Sequence, residues 1–236
     1  MLRARTAVLL AAMAATPGAF AQMYSPGYGT YGAPMSNYLA SSYLVQQVAN
    51  GTRDAGSRKA QRVAPTTADA AEPRFSPGAR PIAPRRLALS YPEASRARAE
   101  QFFGQTLAGY HDIEAKFGLR KYDIAGAIAT FVAGNYIAYR DEPFPDAHFK
   151  PLVQQMRGAI GGVAALRGAS DADKQELYEQ LAILGTYMAL TREALRQRPD
   201  PQLAASMKHA AKQYLEQFLK VDPERMSIGA QGLIVR

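Results

Sequence analysis

The residues best suited to chemistry by type and spacing are His111, Asp112 and Glu114, in the run His-Asp-Ile-Glu. His111 and Glu114 stand three apart, so on a helix they share one face, where an imidazole and a carboxylate can hold a metal ion or relay a proton. Two ligands do not complete a metal site. Neither a His-Glu-x-x-His motif nor a third ligand at suitable spacing accompanies them, and a solvated polar helix face accounts for the pair without chemistry. His148, near an expected helix start, and His209, beside Lys208, read as surface histidines. A serine nucleophile would need a strained turn such as Gly-x-Ser-x-Gly, and the chain has none. Ser90 and Ser170 sit where helix caps are needed, while Gly161-Gly162 and the pair Gly229 and Gly232 lack the strand and lysine of a phosphate loop. Asn135 stands out differently: it falls on an apolar helix face, where a bond to a neighbouring helix would satisfy its amide. No catalytic, cofactor-binding or metal-ligating residue is therefore assigned, and no cofactor is expected.

The elements around these residues predict an all-α fold, an antiparallel bundle of about five helices. Its centre is the stretch from Tyr122 to Arg140, which carries no charge between Asp123 and Arg140. At ~100° per residue, Ile124, Ile128, Phe131, Val132 and Tyr139 gather on one side. Gly126, Ala129, Thr130, Ala133 and Gly134 gather on the other. A helix apolar on both sides belongs inside a bundle, and its small side admits a second helix closely. Before it, a helix from about Ser90 to Phe117 is predicted, with a Ser90–Glu93 capping box and a stop at Gly118. A third helix begins near Asp146, distorted in its first turn by Pro151, and ends at Gly168. Ser170 caps a fourth, whose Leu177, Leu181, Leu184, Met188, Thr191 and Leu195 alternate spacings of four and three, a bundle seam. Asp200-Pro201 opens a fifth, with Leu203, Met207, Ala210, Tyr214 and Phe218 inward. The closing run MSIGAQGLIVR is expected to dock as an extended tail.

Composition divides the 236-residue chain into unequal parts. Residues 1–21 have the form of a signal peptide: Arg3 and Arg5, an apolar run from Ala7 to Ala15, and Ala19-Phe20-Ala21 before Gln22. Residues 22–35 are a Gly/Tyr/Pro low-complexity segment, 36–50 a short helix, 51–89 a disordered basic linker rich in Pro and Arg, and 90–236 the helical domain. The net charge of +8 is concentrated outside the domain. Residues 51–90 hold eight Lys and Arg against Asp54, Asp69 and Glu72, whereas 91–236 hold 18 basic and 17 acidic residues. A nearly neutral domain argues against a folded nucleic-acid-binding face. With no cysteine, the fold has no disulfide, and thiol catalysis and Cys-ligated zinc are excluded. Once the leader is removed no span of ~20 apolar residues remains to cross a bilayer.

Ser90-Tyr91-Pro92, the run YDIAGAIATFVAGNYIAY, the helix start SDADKQELYEQL and the tail MSIGAQGLI together resemble the bacterial domain-of-unknown-function family 6683, over about Ser90 to Val235. The resemblance implies an exported helical protein and supplies no catalytic or binding residue. The expected function is a non-enzymatic periplasmic or secreted helical module that binds a protein or cell-envelope partner. The alternative is a hydrolytic or metal-dependent periplasmic enzyme whose site forms only in three dimensions, around His111, Glu114 or Asn135. A deep pocket faced by two of the three histidines would favour the enzyme, and a shallow apolar groove the binder.

The exported chain is expected to begin at Gln22. Intact-mass measurement on exported protein checks this, and a membrane-bound product retaining residues 1–21 would contradict it.

Overall fold

The computed structural model describes residues 45–50 and 75–236. The leader, the low-complexity segment and most of the basic segment lie outside the described residues, as does the first part of the expected short helix; its last residues, 45–50, are helical. Seven further α-helices follow: α1 (Ala83–Ala88), α2 (Glu93–Phe117), α3 (Ile124–Arg140), α4 (Phe149–Ile160), α5 (Ala164–Gly168), α6 (Asp171–Gln197) and α7 (Pro201–Leu219). Five of these are long, and α3 lies at the centre as its composition predicts. A hairpin of β1 (Met226–Gly229) and β2 (Gly232–Val235) completes the chain.

The helix boundaries follow local chemistry. Asp123 accepts a hydrogen bond from the Ala125 N–H at the start of α3, Ser170 from Asp173 in α6, and Asp200 from Leu203 in α7. Gly118, at φ 60°, ends α2: its own N–H bonds the Ala115 carbonyl and the Leu119 N–H bonds the Glu114 carbonyl. Near Pro151 the chain enters α4 through a 3-10 turn, Asp146–His148, which is the distortion that a proline in the first turn predicts. Helix α4 then stops at Gly161, short of the expected Gly168, because the glycine pair breaks it and α5 starts afresh at Ala164. The Ser90–Glu93 capping box does not form. The N–H groups of Leu89, Ser90 and Tyr91 close a turn on the carbonyls of Arg86, Leu87 and Ala88, so Ser90 belongs to the end of α1, and Pro92 stands at the N-cap of α2.

Packing is set by the two sides of α3. On the large side, Phe131 lies 4.9 Å from the Phe218 ring and 6.2 Å from the Tyr214 ring of α7. On the small side α6 approaches to backbone contact. A Cβ built on Gly134 would fall well inside the Gly185 carbonyl, and one built on Gly185 would overlap the backbone of Thr130 and Phe131. The predicted seam of α6, Leu177 through Leu195, is buried throughout.

The folded body begins earlier than residue 90. Phe75, Ala83, Leu87 and Ala88 are buried in the same core as the long helices, and so are Val45, Val48 and Ala49. Residues 75–89 are thus no linker but a strap packed on α2 and α6. The tail docks as expected and forms a hairpin, with Met226 opposite Val235 and Ile228 opposite Leu233. The Gln155 side chain of α4 joins it like a further strand, donating to the Leu233 carbonyl at 2.9 Å and accepting from its N–H at 2.6 Å.

Gly134→Ala should lower stability by at least the ~1–3 kcal/mol of an overpacked core. Gly104→Ala, in α2 with nothing within 4 Å of the added carbon, should raise it by ~0.5–1 kcal/mol. Urea unfolding of both variants checks the pair, and a neutral Gly134→Ala would contradict the crossing.

Candidate functional site

Helical spacing does bring His111 and Glu114 together. His111 Nδ1 lies 2.8 Å from Glu114 Oε2, the geometry of an imidazole N–H donating to a carboxylate. From α6, the Tyr178 hydroxyl donates to Glu114 Oε1 at 2.8 Å and stands 3.4 Å from the same imidazole nitrogen. Glu114 is 2% exposed, whereas the His111 side chain is 42% exposed and Asp112 lies at the surface, so the expected solvated face holds for His111 and Asp112 and fails at Glu114. A buried carboxylate is tolerable here because both of its oxygens accept a hydrogen bond.

Aromatic rings close the cluster over. Tyr110 packs on Tyr178 at 5.7 Å between ring centroids, His111 stacks on Tyr178 at 6.4 Å, and Tyr122 meets Tyr178 at 5.9 Å. The strap supplies the outer ring: Phe75 lies 5.6 Å from Tyr122 and 5.5 Å from Tyr178. Tyr122 adopts φ 62°, a left-handed backbone uncommon for a side chain of its size. Its neighbour Asp123 caps α3 and pairs with Arg157 of α4, so the turn that carries Tyr122 is tied down from two sides.

The proton inventory follows from this burial. Burial, then the nearby Tyr110 hydroxyl and the Glu114 carboxylate, push the Tyr178 phenol far above its ordinary range. Burial and the negative charges of Glu114 and Asp123 do the same to Tyr110, and the Thr130 hydroxyl offsets only part of it. Neither phenol gives up a proton near neutral pH. Tyr178 acts as a fixed hydrogen-bond donor to Glu114, and Tyr110 as a packing group.

The remaining candidates are scattered. His148 sits half-buried at the start of α4, its ring 6.3 Å from Phe144, and His209 is exposed on α7. Among the described residues no group of three His, Asp or Glu is placed to hold a metal ion. Asn135 is fully buried, but its Nδ2 donates to the Phe131 carbonyl one turn back at 2.8 Å, and its Oδ1 has no hydrogen-bond partner. The expected bond to a neighbouring helix does not form; the amide turns back on its own helix instead. An apolar cleft, lined by Ile113, Ala133, Ile137, Phe144, Phe149 and Leu190 with Thr186 at its wall, has an enclosed part with room for about one water. No histidine lines it.

The second polar feature was not foreseen from sequence. Along one face of α6, Asp171 accepts from the Ser76 N–H at 3.1 Å and Gln175 from the Gly78 N–H at 2.7 Å. Gln175 also donates to the Arg80 carbonyl at 3.0 Å. Glu179 Oε2 accepts from the N–H groups of Ile82 and Ala83 at 2.7 and 2.8 Å, serving the start of α1, which has no side-chain cap of its own. The four-residue spacing of these three polar side chains in α6 is the only local signal that could have marked the face.

The chain belongs to a family of unknown function, DUF6683, whose model matches residues 2–236. The match takes in the segments before Ser90 as well as the helical domain. No curated protein and no solved structure matches the chain.

Because folded-state burial raises the Tyr110 and Tyr178 pKa above the ordinary 10.0, their protons favour the folded state below that value. This stability is lost as pH climbs past it, since the unfolded chain ionises first. Phenolate absorbance from these two tyrosines should therefore appear together with loss of helical circular dichroism. Ionisation of either at full helicity would contradict the burial.

Proposed function

We propose that the protein is an exported, non-enzymatic helical module that binds a cell-envelope partner, with the basic segment before the strap making the contact. The observation that carries this reading is the state of the best chemical cluster. The buried Glu114 carboxylate is taken up by His111 Nδ1 and the Tyr178 hydroxyl, with Phe75 and Tyr122 packed on the Tyr178 ring, while the His111 side chain stays partly exposed. The apolar cleft lined by helix faces, with the histidines elsewhere, supports the same side. Charge supports the nature of the contact: residues 51–74 hold five Lys and Arg against Asp54, Asp69 and Glu72, Arg80, Arg85 and Arg86 follow in the strap and α1, and 91–236 are close to neutral. A leader of signal-peptide form at residues 1–21 supports a periplasmic or secreted place of action. None of the helices among the described residues is long and apolar enough to cross a membrane. The near-neutral stretch 91–236 argues against a nucleic-acid-binding face.

Co-sedimentation with envelope fragments across a salt series tests the reading. Retention of the full mature chain should fall as salt rises, because exposed Arg and Lys are screened over about 10 Å at roughly 0.1 M. A full-length variant with Arg53, Arg58, Lys59 and Arg62 changed to Ser should lose most of that retention. Equal retention of both chains at every salt concentration would overturn the role of the basic segment.

A further inference from the structure

We draw no further inference here: the strongest candidate, the surface cluster in which the partly exposed side chains of His111 and Tyr122 stand beside the buried Glu114, belongs to the site already described, and nothing in the structure shows what covers its open edge.

Discussion

Two glycines that face each other set the distance between α3 and α6, and most of the remaining packing follows from that distance. With Gly134 against the Gly185 backbone, there is no room for a side chain at the crossing point. Dispersion between closely packed backbones takes the place of interdigitated side chains there. Phe131 of α3 is directed the other way, where it meets Phe218 and Tyr214, while Ile137 lines the cleft beside α6. Helix α6, once drawn onto α3, presents its other faces to α2 and to the strap. The polar row Asp171, Gln175 and Glu179 and the cluster around Tyr178 are both consequences of where that helix lies.

Among the described residues the buried carboxylates, Glu114 and Glu179, are accommodated by hydrogen bonds. Glu114 accepts from the Tyr178 hydroxyl and the His111 imidazole, and Glu179 from the Gln175 amide and two backbone N–H groups. Satisfied in this way, a buried acid costs little and fixes the geometry of its donors. The cations are used at helix ends instead. Arg192 and Arg196 hold Asp141, the left-handed residue that ends α3, and the Arg192 hydrogen bond depresses its carboxyl below the usual range. Arg157 holds Asp123 at the other end of the same helix. The central helix is pinned at both termini by ion pairs, and its middle is pinned by the glycine crossing.

Much of this architecture was legible in the residues themselves. The split of α3 into a large and a small side, the caps at Asp123, Ser170 and Asp200, and the distorted entry to α4 all rest on interactions within a few positions of each other, which local periodicity and capping chemistry report directly. The strap was not legible. Its segment has few large apolar residues, and it is held by side chains about ninety residues away, so its composition resembles that of an unfolded linker. The hairpin lacks a strong turn signal, since Ala230-Gln231 replaces the Asn-Gly or Asp-Gly that would have marked it. The pairing of His111 with Glu114 was visible as spacing, but the burial of Glu114 beside the Tyr178 hydroxyl was not, since no helical period connects the two. Asn135 was visible as an anomaly, but the turn of its amide back onto the Phe131 carbonyl of its own helix was not.

If the Gly134–Gly185 crossing governs the fold, the amides around it should be the last to exchange with solvent. Native-state hydrogen exchange can follow the amides of Phe131 to Asn135 and of Leu184 to Thr186 alongside those of residues 76–83 in the strap. The crossing amides should exchange only through global unfolding, with opening free energies equal to the stability measured by urea, while the strap amides open at distinctly lower cost. Crossing amides that open more readily than those of the strap would contradict the account.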